Sequence, residues 1–435
     1  MNQTKLNRRA FLKRIGIGSA AYVIASQLMP LSVSAATEEG GTAININDFL
    51  NNGQTIQDAI NAVQNAGGGE LFFPPGVYRT DRTLQITGDN VILRGANRDS
   101  SIITASGSLT NQNLLLVRKA GGRILNTKLV DLTLTSDVRY VFGNTAGSAT
   151  AGPDISTMNH AVVLDGSHNV IIDNVRIHHF NGDGISFQDT VSSGGPDQTT
   201  LNNCVLSLCR DGVSMNNTGH STHIYGGSYE FNTRYGINTG GRNSVFIKDA
   251  DIEQNLNVGI RISHQSNIVI RDCTFENNAR GFANDSTQRT HIWVGDYDVA
   301  RSIVIDGCFF HGRSMRSLIR VDKADGVSIK NNFVDFANQF GTANGAFVQT
   351  SAACRNIFVD EFSYNVTPNV RRISNPQYAL SDIKPSSVTA LPAPNEAIRG
   401  FMVRVEASAG QADALYMCVK DADGSYKWGR INMTF

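Results

Sequence analysis

The chain has 435 residues, of which 38 are basic and 38 acidic. Its formal net charge is therefore zero, which gives no reason to expect nucleic acid as a partner. Glycine is abundant with 41 residues and proline scarce with 10, while valine and isoleucine alternate with polar residues, which favours many short strands joined by tight bends. After the N-terminal segment, no stretch of the sequence is apolar enough to span a bilayer.

Residues 1–36 have the three parts of an export signal. Arg8 and Arg9 precede Phe-Leu-Lys, which resembles the consensus of twin-arginine signals, with Asn7 where Ser or Thr is usual. A short apolar stretch and small residues up to Ala36 follow, which suits a cleaved signal better than a membrane anchor. We predict export through the twin-arginine pathway to the periplasm or the outside of the cell, with no membrane association after cleavage. Five of the 38 basic residues lie in the signal, which leaves 33 basic against 38 acidic.

A short amphipathic helix is predicted ahead of the repeats. Thr55 and Asp58 have the spacing of a capping box, and Gly67–Gly69 ends the helical pattern. One helical face is apolar and comprises Ile56, Ala59, Ile60 and Val63. Because an open solenoid end exposes strand edges and core side chains, we expect this helix to cover both.

A repeat runs through the middle of the chain. Strands rich in valine and isoleucine end at Ile224, Ile247 and Ile270, a spacing of 23 residues. A glycine followed by an apolar residue recurs at intervals of 28, 24, 23 and 22 residues, at Gly184, Gly212, Gly236, Gly259 and Gly281. A repeat of this length with strands and no helix indicates a β-solenoid, whose turns stack ~4.8 Å apart. Glycine and asparagine supply its left-handed bends.

Three of the six cysteines occupy equivalent places in their repeats. Cys204, Cys273 and Cys308 each follow a strand and precede an apolar or β-branched residue. We interpret them as small apolar fillers of the solenoid interior, because histidine partners at metal-ligand spacing are absent from the sequence around them.

The repeat pattern ends near residue 365. Residues 366–396 contain proline-bearing segments and are interpreted as a linker. Residues 397–435 predict a small β-hairpin module, with Asp423-Gly424 as a turn signal. Capping of the solenoid is the favoured role of this module, and trimerisation and sugar binding are the alternatives.

Residues 55–60 and 67–78 resemble the start of the pectate-lyase superfamily, which includes rhamnogalacturonases, polygalacturonases, uronan epimerases and phage tailspikes. The resemblance covers roughly residues 41–365. It implies an all-β fold, a right-handed parallel β-helix with an N-terminal capping helix, existing as a monomer or homotrimer. It implies a polysaccharide partner but no single activity, because this fold hosts hydrolases, lyases, epimerases and binding proteins.

Strand alternation predicts which side chains point out of the solenoid and stack along one face, as a polysaccharide groove requires. Four residues are candidate catalytic groups: Asp183, Asp211, Tyr235 and Arg261. Six are candidate substrate-binding residues: Ser186, Gln188, Asn216, Arg234, Asn238 and Ser263.

Polygalacturonases carry related motifs on the same lattice. Asn181–Gly184 resembles their Asn-Thr-Asp-Gly, and Gly259–Ser263 resembles their Gly-Ile-Arg-Ile-Lys without the lysine. Arg210 replaces one of their paired aspartates beside Asp211, and Tyr235 replaces the histidine of their Gly-His-Gly. The two remaining carboxylates can be read as the acid and base of a hydrolase. The alternative is that each aspartate only caps a turn.

A lyase or epimerase would use the same face to remove the C5 proton of a uronate. Tyr235 is then the proton carrier, Arg261 or Arg234 neutralises the carboxylate, and His220 or His223 is the base. Uronan epimerases place Asp-Pro-His after the equivalent Tyr-Gly. The stretch here is Asn238-Thr239-Gly240-Gly241, so their catalytic set is not carried over.

These observations predict an exported carbohydrate-active enzyme that cleaves or modifies a uronic-acid-containing polysaccharide by hydrolysis or β-elimination. The alternative is a non-catalytic, tailspike-like glycan-binding protein. We expect no metal in the catalytic groove and no cofactor, with one option of Ca²⁺ beside Glu230, Asp251 and Glu253. A solvated acidic flank is the simpler interpretation of these three residues.

Overall fold

The structure is a computed structural model. It describes residues 43–106, 112–137, 159–191, 195–215, 219–240, 243–264, 266–282, 286, 288–311, 315–334, 346–360, 371–373, 379–380, 386–388, 390–396, 399, 402–405 and 412–431. The predicted export signal and the candidate Asn216 lie outside the described residues. No helix in the described part of the chain is long and apolar enough to cross a membrane.

Three parallel sheets form the solenoid, and the predicted all-β parallel β-helix is confirmed. Sheet A comprises Ile44–Asn45, Gly69–Phe73, Val91–Gly95, Ile124–Leu125, Lys128–Val130, Ser167–Asp173, Asp197–Asn202, His220–Tyr225, Asn243–Lys248, Ser266–Arg271, Ala300–Asp306, Ala324–Lys330, Arg355–Asp360 and Ala379–Leu380. Sheet B comprises Gly76–Thr80, Ser101–Ala105, Thr133–Ser136, Arg176–His178, Val205–Ser207, Ser228–Glu230, Asp251–Glu253, Thr274–Glu276, Phe309–His311 and Phe333–Val334. Sheet C comprises Leu84–Ile86, Leu115–Arg118, Val162–Asp165, Ile185–Gln188, Val213–Met215, Ile237–Thr239, Ile260–Ile262, Ile292–Val294, Ser317–Val321, Ala346–Thr350 and Arg371–Ile373.

The interior is filled by aliphatic side chains stacked from turn to turn. In sheet A, for example, Val245, Ile268 and Ile303 are partners in register on successive strands, and each is at least 98 % buried. Full burial of such a side chain contributes about 1.5–3 kcal/mol. The three aligned cysteines are buried and free, each immediately before a strand of sheet B, as the filler interpretation predicts.

The bend from sheet A to sheet B uses a left-handed residue in turn after turn. At this position φ lies between 48° and 56° at Asp131, Asn174, Asn203, Asp249, Asp272 and Asn331. Asparagine and aspartate tolerate this conformation better than other non-glycine residues, because their short polar side chains bond locally. The recurrent Asn and Asp of the sequence repeat are thereby explained.

A buried asparagine ladder supports the bend from sheet B to sheet C. The Asn232 amide donates to Asn255 Oδ1 at 3.0 Å, and the Asn255 amide donates to Asn278 Oδ1 at 2.8 Å. All three residues are fully buried. Each amide also donates to a backbone carbonyl on the sheet B strand one turn earlier. These buried carbonyls are thus satisfied without water.

The N-terminal end is capped by two helices, α1 at Ile46–Leu50 and α2 at Ile56–Asn65. The predicted capping box of α2 is present, and its predicted apolar face is buried. Gln57 donates to the carbonyl of Gln85 and accepts from its N–H, while Gln64 accepts from the N–H of Gly88. These amides pair with the first strand of sheet C and with the backbone just after it, which would otherwise present an open edge.

The C-terminal sheet contains Ser386–Val388, Met402–Val405, Ala414–Lys420 and Tyr426–Ile431. The last two strands are antiparallel and joined through Asp423 and Gly424, the predicted hairpin turn. The described residues of the segment interpreted as a linker contain three short strands. Arg371–Ile373 extends sheet C, Ala379–Leu380 extends sheet A, and the third belongs to the C-terminal sheet.

The recurring glycine followed by an apolar residue no longer marks a sheet C strand after Gly259. The sequence places the next sheet C strand at Gly281-Phe282, but that strand is Ile292–Val294. The connection from Thr274–Glu276 to the next strand of sheet C is longer than in the preceding turns. The outward-facing residues of that turn therefore lie later in the sequence than the repeat predicts.

Candidate functional site

Three of the candidate residues form a row on sheet C together with Ser214. Ser186 pairs with Ser214, Ser214 with Asn238, and Asn238 with Arg261, each one strand from the next. Ser186 and Asn238 are nevertheless buried, with 5 % and 1 % exposure, whereas Arg261 is partly exposed. The accessible part of the row therefore begins at Arg261. Among the remaining binding candidates, Ser263 is buried and Gln188 and Arg234 are partly exposed.

Asp183 is fully buried in an ion pair. Arg210 donates to both carboxylate oxygens, from Nε at 2.7 Å and from Nη2 at 2.8 Å. Burial alone raises the pKa of the carboxyl, but the hydrogen bonds from His160 and Arg210 and their charges hold the pKa well below its usual range. Asp183 is thus a carboxylate fixed by its partners, and it is a poor proton donor.

Asp211 is also fully buried and accepts several hydrogen bonds. Arg234 donates from Nε at 2.6 Å and from Nη2 at 2.5 Å. The backbone N–H of Tyr235 donates at 3.3 Å, and the amide of Asn238 donates at 3.1 Å. One carboxylate therefore fixes the positions of three neighbouring candidate residues.

Two guanidinium groups lie over the ring of Tyr235. That of Arg234 is 5.0 Å from the ring centroid and that of Arg261 is 5.6 Å from it. Tyr235 is 8 % exposed. Burial raises the pKa of its phenol, and the charge of Arg261 offsets this only in part. The phenol consequently keeps its proton at neutral pH.

Arg261 is anchored by three neighbours, of which Ser263 accepts the longest hydrogen bond, from Nη2 to its Oγ at 3.5 Å. The Nε of Arg261 donates to Asp296 Oδ2 at 2.7 Å and its Nη1 donates to Asn238 Oδ1 at 3.1 Å. The sequence pattern does not identify Asp296, because the recurring glycine places this strand of sheet C at Gly281-Phe282 instead of at Ile292–Val294. The alternation of Ile-Trp-Val at 292–294, followed directly by Gly295, is the signal that identifies this position.

The row continues beyond Arg261 with an aromatic residue and a second arginine. Arg261 pairs with Trp293, and Trp293 pairs with Arg320 on the next strand. The guanidinium of Arg320 lies 4.6 Å from the Trp293 ring, and both side chains donate to Asp322, each at 2.8 Å. The sequence pattern does not place Arg320 in this row.

The arginines of this face are matched by aspartates. The pairs are Arg210–Asp183, Arg234–Asp211, Arg261–Asp296 and Arg320–Asp322. The face is therefore dense in fixed hydrogen-bond donors and acceptors, and its charges are largely compensated.

Several other candidates lie on different faces. His220 and His223 are in sheet A, away from the sheet C row that carries Arg261. Glu230, Asp251 and Glu253 are in sheet B. In the part of the chain that the structure describes, no group of three or more His, Cys, Asp or Glu residues is arranged to hold a metal ion.

Comparison with known proteins agrees with this architecture. Residues 159–334 match the family model described as the right handed beta helix region. The chain has the right-handed β-helix fold. Over 194 residues it is 28 % identical to the mannuronan C5-epimerase AlgE3 of Azotobacter vinelandii, an alignment that covers 40 % of this chain and 10 % of that protein. The chain thus spans about a tenth of the length of this relative.

Solved structures share the β-helix at low sequence identity. ORF18 of Geobacillus virus E2 has a TM-score of 0.53 and 12 % identity, covering 90 % of this chain and 73 % of its own. A mutant of DFA-IIIase from Arthrobacter chlorophenolicus A6 has a TM-score of 0.50 and 10 % identity, covering 78 % of this chain and 95 % of its own. At such identities the likeness establishes the fold alone.

Proposed function

We propose that this β-helix protein is a carbohydrate-active enzyme that binds a uronic-acid-containing polysaccharide along sheet C and cleaves it by β-elimination. The arrangement of Tyr235 beneath the guanidiniums of Arg234 and Arg261 carries this proposal. It combines a protonated phenol with guanidinium donors, of which that of Arg261 is partly exposed and can donate to a sugar carboxylate. The relative that covers part of the chain is named for C5 epimerisation of mannuronan, a reaction at the same carbon.

The elimination assigns a role to each of three residues. Arg261 binds the uronate carboxylate and stabilises the charge that develops when the C5 proton leaves. His264, which is partly exposed and follows the strand that carries Arg261, takes that proton. The C5–H electron pair forms the C4–C5 double bond, the C4–O glycosidic bond breaks, and Tyr235 donates its proton to the leaving oxygen.

Hydrolysis by Asp183 and Asp211 is the less favoured chemistry. A glycosidase needs one carboxylic acid with a raised pKa and a second accessible carboxylate. Both aspartates are fully buried, each is held by two donors of one arginine, and the pKa of Asp183 is lowered. We therefore assign Asp183 and Asp211 to positioning Arg210 and Arg234 beneath the groove.

The test is turnover of a panel of uronic-acid polysaccharides by the mature protein, followed by the absorbance of unsaturated uronates. Tyr235→Phe should lower the rate by about 10²–10⁴-fold, because it removes the proton donor and keeps the ring. Tyr225→Phe, on sheet A, is the matched control and should retain the rate. New reducing ends without the absorbance would identify a hydrolase and contradict elimination.

Non-catalytic glycan binding is the second candidate. It is favoured by the compensation of the arginines of the face by aspartates, which suits recognition of hydroxyl groups as well as of a charge. Saturable binding of a polysaccharide with no product from any member of the panel would support it.

Three further proposals rest on the sequence. We propose that residues 1–36 export the protein through the twin-arginine pathway, so that it meets its polysaccharide in the periplasm or outside the cell. We propose that it works as a monomer or homotrimer. Ca²⁺ beside Glu230, Asp251 and Glu253 stays an option for the flank on sheet B, outside the groove.

A further inference from the structure

Tyr297 is the most exposed of the large apolar and aromatic side chains in the described residues, at 72 %. It lies in the bend that follows the sheet C strand Ile292–Val294. Its neighbour Asp296 is the residue that anchors Arg261. An exposed aromatic ring therefore lies beside the candidate groove, directly after the residue that fixes the groove's accessible arginine.

The backbone of this bend is held on both sides. The N–H of Gly295 donates to the carbonyl of Ile262 at 2.7 Å, and Lys323 Nζ donates to the carbonyl of Tyr297 at 3.0 Å. Gly295 has φ +69°, and a Cβ there would lie 1.8 Å from the carbonyl oxygen of Lys323, so only glycine fits. The ring is presented to solvent by a fixed backbone.

The ring of His264 approaches that of Tyr297 edge-on, at 5.9 Å between centroids and 61° between planes. A histidine in this arrangement covers an edge or one side of the tyrosine and leaves most of its surface to water. Exposure of an aromatic face contributes nothing to folding. It does offer a flat, apolar surface with a polar tip, which matches the apolar face and the hydroxyl rim of a pyranose ring.

We propose that Tyr297 is the stacking platform of a sugar subsite next to Arg261. It takes the pyranose ring of the polysaccharide unit that neighbours the one whose carboxylate Arg261 binds. Adjacent strands place their residues ~4.8 Å apart, and a sugar unit in an extended chain advances by a similar distance, so consecutive units fall on consecutive turns. The identity of the neighbouring unit as part of a uronic-acid polysaccharide rests on the proposed function.

The test compares Tyr297→Ala, Tyr297→Phe and the control Phe333→Ala, which removes an exposed aromatic side chain from sheet B. Tyr297→Ala should raise KM about fivefold to tenfold with kcat within about twofold, because it removes ground-state stacking worth one aromatic contact. Tyr297→Phe keeps the face and should stay close to the parent. Unchanged KM in Tyr297→Ala overturns the inference while the proposed function stands.

Equilibrium binding separates the two proposals if no polysaccharide is turned over. Calorimetric titration with the same uronic-acid polysaccharides should then show weaker binding by Tyr297→Ala than by Phe333→Ala, which supports the subsite although the proposed enzyme activity fails. Equal affinities of the two variants, or no binding of any polysaccharide, overturns the subsite. Thermal unfolding of each variant should match the parent, since both side chains are exposed.

Discussion

At the scale of single residues, the sheet C face has two kinds of charged side chain: buried aspartates that hold arginines in place, and an arginine that is accessible to a ligand. Asp183 and Asp211 are fully buried and hold arginines, whereas Arg261 reaches the surface. The sequence places these residues in register, because alternation and repeat spacing fix which side chains point out. It does not show that each aspartate is bound by an arginine from the next turn, since that pairing depends on three-dimensional stacking.

The buried pair of Asp183 and Arg210 leads to a stability prediction. Asp183→Asn should lower the free energy of unfolding by about 3 kcal/mol or more, because it leaves the guanidinium of Arg210 buried without its counter-charge. Arg210 is only 10 % exposed, so solvent screens little of this loss. Urea unfolding measures the change. Asp421→Asn, in an exposed pair with Lys427, is the control and should leave the midpoint unchanged. Equal midpoints for the two variants would show that the Asp183 pair is not a stability determinant.

At the scale of elements, the predictable features are those that follow from local patterns. The capping helix, the left-handed bends and the buried cysteines can be read from short stretches of sequence, and the last two recur from turn to turn. The longer connection before Ile292–Val294 breaks the period, so the sequence does not identify Asp296 and Trp293. The asparagine ladder is not predictable, because a buried asparagine and a turn asparagine look alike in a sequence.

A row of glutamates on sheet B gives a pH prediction at this scale. Glu230, Glu253 and Glu276 are partners on successive strands, with Asp251 nearby. The pKa of Glu253 is raised from 4.5 to about 7. Burial is the largest cause, and the hydrogen bond and charge of Glu230 come next. The folded state then binds more protons than the unfolded state between these values. The contribution of Glu253 to the free energy of unfolding is therefore fully present below pH 4.5 and is lost as the pH rises through about 7.

The measurement is the thermal midpoint as a function of pH for the parent and Glu253→Gln. The parent midpoint should fall as pH rises from 4.5 to above 7, and the variant should show a flatter curve because it carries no titrating group at this position. Glu396→Gln, outside the row and exposed, should keep the parent slope. If the thermal midpoint of Glu253→Gln fell with pH as steeply as that of the parent, the titrating group would be a residue other than Glu253.

At the scale of the whole molecule, one long solenoid presents a continuous outward face on sheet C. Successive strands place Arg261, Trp293 and Arg320 one turn apart, which is the spacing that a polymer of sugar units can follow. The fold could be predicted because a β-helix is built from near-identical turns. The substrate could not, because the same lattice carries many chemistries and the choice depends on side chains at a few turns.

We propose above that a uronic-acid polysaccharide lies along sheet C across Arg261. A crystal structure of the protein with a uronic-acid oligosaccharide tests it most directly. We expect the sugar chain over the strands Ile260–Ile262 to Ser317–Val321, with a carboxylate bound by Arg261 and a ring against Tyr297. An oligosaccharide bound on sheet A, on sheet B or at an end of the solenoid, with sheet C empty, would contradict it.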